Sequence, residues 1–161
     1  MVTSKDVSKA IDMLDKVGID YIIAGGYARD VAHGVEPKDL DIMVTGCSPD
    51  FYRLCKQLPY TEKFATGDSD DGYDDPCIVG VLKIGSNVDI VMWSGTIFES
   101  LECVVRQGFD FNINQYVLDD ISEPPRFVGN SKGYLVRLLE ELRHDRILKV
   151  TEIAKNLGWQ V

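Results

Sequence analysis

Between Ser4 and Val17 the apolar residues Val7, Ala10, Ile11, Leu14 and Val17 return every three or four positions, the spacing that lines one face of an α-helix. Gly18 punctuates that helix. Tyr21-Ile22-Ile23-Ala24 reads as a short buried strand, and Gly25-Gly26 breaks it before Tyr27 to Ala32 begin a second helix. Leu40 to Val44 reads as another strand, and Pro49 to Leu58 as a helix with Phe51, Leu54, Cys55 and Leu58 on one side. Ile78 to Ile84, the turn Gly85-Ser86-Asn87 and Val88 to Trp93 read as a hairpin. Farther on, Thr96 to Val105 predicts a helix and Ile113 to Leu118 an apolar segment. Tyr134 to Leu142 and Arg146 to Leu157 predict two more helices, separated by Arg143-His144-Asp145. Strands and helices alternate and helices then dominate. The expected fold is therefore α/β (α+β), a small mixed sheet flanked by helices, with a main unit over residues 1–125 and a helical C-terminal segment over 126–161.

Composition narrows the function classes. The 161 residues suit one domain with a small appendage, and no apolar run reaches the roughly 18–20 residues that span a bilayer. The first residues carry no signal-peptide h-region, so a cytoplasmic protein with no membrane role is expected. Cys47, Cys55, Cys77 and Cys103 form no C-x-x-C pair, which argues against a zinc ribbon or a disulfide framework and for reduced thiols. His33 and His144 are far apart, without partners at ligand spacing, and read as helix-surface or loop residues. Residues 66–76 are rich in Asp and Gly and read as an exposed loop rather than a calcium loop, because the closing glutamate of an EF-hand is missing.

The net charge of −9 would repel a polyanion, but it is unevenly distributed. Residues 126–161 hold seven Lys or Arg and four Asp or Glu, net +3, against −12 for the remainder. A positive end of this kind either faces phosphates or is a solvated basic helix.

Chemistry concentrates earlier in the chain. Asp39 and Asp41 lie two apart at the start of a strand, so both side chains point to one face while Leu40 and Ile42 point to the other. Asp89 is an acid inside an otherwise apolar strand. If the hairpin pairs with the Asp39 to Val44 strand, three hard oxygen donors meet, which suits two magnesium ions stabilising the attacking and leaving oxygens of a phosphoryl displacement. Gly25 and Gly26, at a strand-to-helix turn, let backbone N–H groups approach phosphate oxygens, and Arg29 adds a donor one turn later.

Taken in order, Gly25-Gly26-Tyr27-Ala28-Arg29-Asp30, then Gly34, then Pro37-Lys38-Asp39-Leu40-Asp41-Ile42 closely resemble the signature of the polymerase-beta-like nucleotidyltransferases. The match is nearest to the head domain of bacterial poly(A) polymerases and bacterial-type CCA-adding tRNA nucleotidyltransferases, whose pattern runs G-G-x-x-R-D, a glycine, then P-K-D-x-D-I. Two weaker matches follow. Asp110-Phe111-Asn112-Ile113-Asn114 stands beside the family's R-R-D-F-T-I-N, with Gly108 and Phe109 in place of its two arginines and Arg106 nearby as a partial substitute. Arg146-Ile147-Leu148-Lys149 through Leu157-Gly158-Trp159 resembles the opening of the family's neck domain. The resemblance thus implies a minimal enzyme without body and tail domains.

What the resemblance implies is Mg2+-dependent transfer of NMP from an NTP such as ATP to an acceptor hydroxyl, with release of pyrophosphate. Asp39, Asp41 and Asp89 are the expected catalytic and metal-binding residues, with two Mg2+ ions or Mn2+ in their place. Gly25, Gly26, Arg29 and Lys38 are expected to hold the triphosphate, and Asp110, Asn114, Arg143 and Arg146 the rest of the nucleotide. Asp30 is expected to brace the loop, and Arg137 is a further candidate for a base or acceptor contact. An RNA 3′ end, tRNA-like, is the favoured acceptor, with a protein side chain or an aminoglycoside-like small molecule as alternatives. The rival class is a catalytically weak nucleotide-binding or regulatory module, such as half of a toxin and antitoxin pair, which the lost arginines favour. The oligomeric state is left open.

Overall fold

The computed structural model describes residues 2–65 and 75–161, so most of the acidic loop over 66–76, with the calcium-loop comparison, lies outside the described residues. Helix α1 (Ser4–Val17) starts at a capping box, in which the Thr3 hydroxyl accepts from the Asp6 N–H and the Asp6 carboxylate accepts from the Thr3 N–H. It stops at Gly18, whose φ of 81° closes the last turn. Strand β1 (Ile22–Ala24), helix α2 (Gly26–Ala32), strand β2 (Leu40–Gly46) and helix α3 (Ser48–Gln57) follow the expected order. After them come β3 (Glu62–Ala65), β4 (Ile78–Ile84), β5 (Val88–Ser94), a short α4 (Leu101–Cys103), β6 (Tyr116–Leu118), β7 (Arg126–Phe127) and α5 (His144–Asn156).

The described strands make one seven-stranded sheet in the order β3-β4-β5-β2-β1-β6-β7. The β2–β5 pair is parallel and the other neighbours are antiparallel, so the sheet is mixed, as expected. Alternation along the strands divides the side chains between two cores. On one face Leu40, Ile42, Val44, Leu82, Ile90 and Met92 pack with Val7, Ala10 and Leu14 of α1, Phe51 and Leu54 of α3, and Val150, Ala154 and Trp159 at the C-terminal end. Packing is close there: a Cβ on Gly80 would come within 2.5 Å of the Phe51 ring. On the other face Met43, Val81, Val91 and Trp93 pack with Phe98, Val104, Val105 and Phe109.

Three expectations change. Tyr134 to Leu142 is not a helix, although Leu135, Leu138, Leu139 and Leu142 have helical spacing. Its backbone is taken by distant partners: Asn112 Nδ2 donates to the carbonyls of Ser131 and Tyr134, and Asn112 Oδ1 accepts from the Val136 N–H at 2.7 Å. The Leu138 N–H donates to the Asp110 carbonyl at 2.7 Å and the Leu135 N–H to the Gln160 carbonyl at 2.7 Å, bonds that leave an extended segment. Thr96 to Val105 is helical only from Leu101, and it continues as a π-helical turn over Val104–Gly108. Strand β7, which opens the expected C-terminal segment, is hydrogen-bonded to β6 in the main sheet. Among the described residues no helix is long and apolar enough to cross a membrane.

Candidate active site

The turn after β1 is built around Gly25, whose φ of 83° and ψ of −139° are open to glycine and strained for other residues. Its N–H donates to the Tyr116 carbonyl of β6 at 3.1 Å, and its carbonyl accepts from the Arg29 N–H at 2.8 Å, fixing the turn to the sheet and to α2. Arg29 is mostly buried. Its Nε donates to Asp30 Oδ1 at 2.9 Å and its Nη1 to Asn114 Oδ1 at 2.8 Å. The guanidinium folds back over Gly26, 3.5 Å from where a Cβ would stand. Asp30 therefore braces the loop, and Asn114 joins Arg29 rather than standing apart.

The β4–β5 hairpin pairs with β2, as the carboxylate argument required. In the parallel register Asp41 stands opposite Asp89. Both fall on the face carrying Met43, Val91 and Trp93, at its polar end. Strand β1 opposes Ile23 to Ile42, so Ala24 and the Gly25 turn approach the same end. Asp39 precedes β2, exposed beside Lys38, in phase with Asp41.

These carboxylates repel one another in a partly dry setting. Burial raises the Asp41 carboxyl to about 6, and the charges of Asp89 and then Asp39 push in the same direction, while Lys83 and Arg146 oppose them. Burial also raises Asp89, against which Lys83 acts by charge and hydrogen bond. Arg146 acts on Asp41 through its charge. Its Nε also donates to Asp110 Oδ2 at 2.8 Å, joining the N-terminal end of α5 to the Asp110–Asn114 stretch. Arg143 is not brought in: its side chain is 75 % exposed and pairs with Asp145 at 3.6 Å. Arg137 is exposed and donates from Nε to the Leu139 carbonyl.

Three features of this region are not legible in the sequence. Lys83 stands opposite Asp89 across β4 and β5, and its Nζ lies 3.2 Å from Asp89 Oδ1. It is the one charge within Ile78–Ile84, which was the available signal. His33, expected on the surface, is half-buried at the end of α2. Its Nδ1 lies 2.7 Å from the Arg29 carbonyl and its Nε2 accepts from Trp159 Nε1 at 2.9 Å, which requires the neutral tautomer with hydrogen on Nδ1. Phe109, at the place of an arginine in the resembling pattern, is buried against Trp93 and lies 3.7 Å from where a Cβ on Gly25 would stand. Gly108 is closed in by Phe98 and Trp93, each 3.0 Å from a Cβ there. Arg106 is exposed and pairs with Glu102 at 3.5 Å.

The donor set suits a hard divalent cation: carboxylates in register, desolvated and mutually repelling, whose cost of ionisation a cation would offset. As the side chains stand, no group of three or more His, Cys, Asp or Glu among the described residues is disposed to hold a metal ion. Asp89 engages Lys83 instead.

Comparison with solved structures shows what the fold resembles. The Bacillus stearothermophilus CCA-adding enzyme in complex with CTP aligns with a TM-score of 0.51 at 19% identity, over 76% of this chain and 29% of that one. A tRNA-processing enzyme complex aligns with a TM-score of 0.51 at 18% identity, over 92% of this chain and 42% of the other. The chain thus shares its fold with part of these proteins and spans less than half of their length. No protein-family model matches the sequence, and no curated protein matches it significantly.

Proposed function

We propose that the protein is a nucleotidyltransferase that moves NMP from an NTP to an acceptor hydroxyl, most favourably an RNA 3′ end. One observation carries the reading: Asp41 and Asp89 stand side by side in register at the sheet end reached by the Gly25 turn. In the reaction the acceptor oxygen bonds to the α-phosphorus, the α–β phosphoanhydride bond breaks, and pyrophosphate leaves. Magnesium ions held by Asp39, Asp41 and Asp89 would supply neutralisation of the attacking and leaving oxygens. Asp89, whose carboxyl is raised by burial, takes the acceptor proton. The Gly25-Gly26 backbone holds the phosphates. Arg29, locked by Asp30 and Asn114, adds positive charge without having to reorganise. Arg146, fixed by Asp110, adds a second positive group near Asp41. Lys38 is exposed at the approach and steers phosphate. The shared fold with CCA-adding and tRNA-processing enzymes supports the RNA acceptor.

Labelled NTP incubated with Mg2+ and tRNA lacking its 3′ end tests the proposal. Transfer by the wild type and its loss in Asp39→Ala/Asp41→Ala are expected. Equal transfer by the double variant would remove the assignment, and labelling of a protein or small molecule instead would change the acceptor. The apolar Phe109 packed beside Gly25 favours a second reading, a nucleotide-binding module with little turnover. Calorimetric NTP binding without transfer to RNA, protein or aminoglycoside would select it.

A further inference from the structure

The polar end of the sheet carries a row of charges that the proposed reaction does not use in full. Reading across adjacent strands in register, Glu62 on β3 stands opposite Lys83 on β4, Lys83 opposite Asp89 on β5, and Asp89 opposite Asp41 on β2. One ammonium is thus placed between two carboxylates, and directly opposed cross-strand side chains are within reach of each other. At present Lys83 Nζ lies 3.2 Å from Asp89 Oδ1 and 3.5 Å from Oδ2.

The Lys83–Asp89 pair itself adds little to fold stability. The pair is only partly buried, with side-chain exposures of 38% for Lys83 and 21% for Asp89, and ion pairs this open stabilise little. In phase with Lys83 along β4 is the buried apolar Val81, so an apolar side chain would also suit the strand. What Lys83 does reach is the third carboxylate of the proposed metal site. An ammonium and a divalent ion cannot share Asp89 without strong repulsion. A long flexible stem lets Lys83 move, and Glu62 offers it an acceptor on the far side.

We propose that Lys83 is the resident counter-ion of the carboxylate site, which leaves Asp89 for Glu62 when a divalent metal binds. The inference rests on the metal reading above. It makes Lys83 and Glu62 positioning residues that set metal affinity. The ammonium keeps the empty site from accumulating negative charge, and its transfer to Glu62 exposes the Asp89 oxygens.

Mn2+ affinity, read from the free-ion signal in electron paramagnetic resonance at fixed ionic strength and pH 7.5, tests this without turnover. Lys83→Met is expected to bind Mn2+ about tenfold more tightly than wild type, and Glu62→Gln about two- to threefold more weakly. Lys83→Arg should keep a wild-type value, and Asp41→Asn should bind least. Circular dichroism reports whether each variant is folded, and Lys83→Gln makes the same charge change should the methionine variant fail to fold. Unchanged or weaker affinity on removing the Lys83 charge, in a protein whose wild type binds Mn2+ through Asp41, would overturn this inference alone. Absence of Mn2+ binding in the folded wild type would overturn it together with the metal reading.

Discussion

The two faces of the sheet are built from the same strands and do opposite things. On one, Leu40, Ile42, Leu82 and Ile90 are covered by α1, α3 and the C-terminal helix, making a largely apolar interior. On the other, the same strands place Asp41, Lys83 and Asp89 one step from Met43, Val81 and Val91, and cover comes from α4, its π-helical continuation and the flanking Phe98 and Phe109. A period of two lets each strand serve both faces at once. The first face supplies stability that the second spends in holding like charges close together. Substitutions on the two faces should therefore differ in sign.

The largest loss of stability is expected from the covered face. Phe51→Ala removes a fully buried ring packed over Gly80 and should cost about 3–5 kcal/mol in urea unfolding. On the charged face, Asp41→Asn should reduce NMP transfer by about 10²–10³-fold, roughly 3–4 kcal/mol of transition-state stabilisation. Between the two lies Asn112, buried and bonded through both ends of its amide to the 131–136 segment. Asn112→Ala should lower stability by about 2 kcal/mol and raise amide exchange in residues 131–138 first.

The comparison is sharpest in the stability of Asp41→Asn without metal. The Asp41 carboxyl is raised from 3.8 to about 6, so its contribution to folding is present below 3.8 and lost as pH rises through 6. The variant should then match wild type near pH 3.5 and exceed it by about 2 kcal/mol at pH 8, a figure discounted for the remaining solvent contact. Saturating Mg2+ should abolish that advantage. A variant less stable than wild type at pH 8 would show that the charged face does not carry the strain described. Smallest is Arg146→Met, expected to lower transfer about tenfold while leaving urea unfolding within 1 kcal/mol.

Much of this division is visible in the sequence, because alternation and punctuation are local. Asp39, Leu40, Asp41 and Ile42 declare their opposite faces before any partner is known, and Gly25-Gly26 marks the turn. Partner choice is another matter. Tyr134 to Leu142 carries helical spacing, yet Asn112 claims its backbone from more than twenty residues away, and no local pattern reports that. Strand β3 is four residues long with mixed polarity and is fixed only by its register on β4. The Lys83–Asp89 pair spans a hairpin whose turn was legible, but the registration that makes it a pair was not. For the site, Asp41 and Asp89 stand opposite each other in register and the Gly25 turn follows the strand beside Asp41, whereas Arg143 is exposed and pairs with Asp145.

The chain has two tryptophans, and the fold assigns one to each face: Trp159 to the helix-covered core and Trp93 to the cluster beside the carboxylates. Each indole N–H has its own acceptor, a histidine nitrogen for Trp159 and the Met43 sulfur for Trp93. Replacing either with phenylalanine leaves a single tryptophan, so the protein contains its own pair of optical probes. Non-coincident emission changes during a denaturant titration would reveal the carboxylate-bearing face loosening before the rest melts.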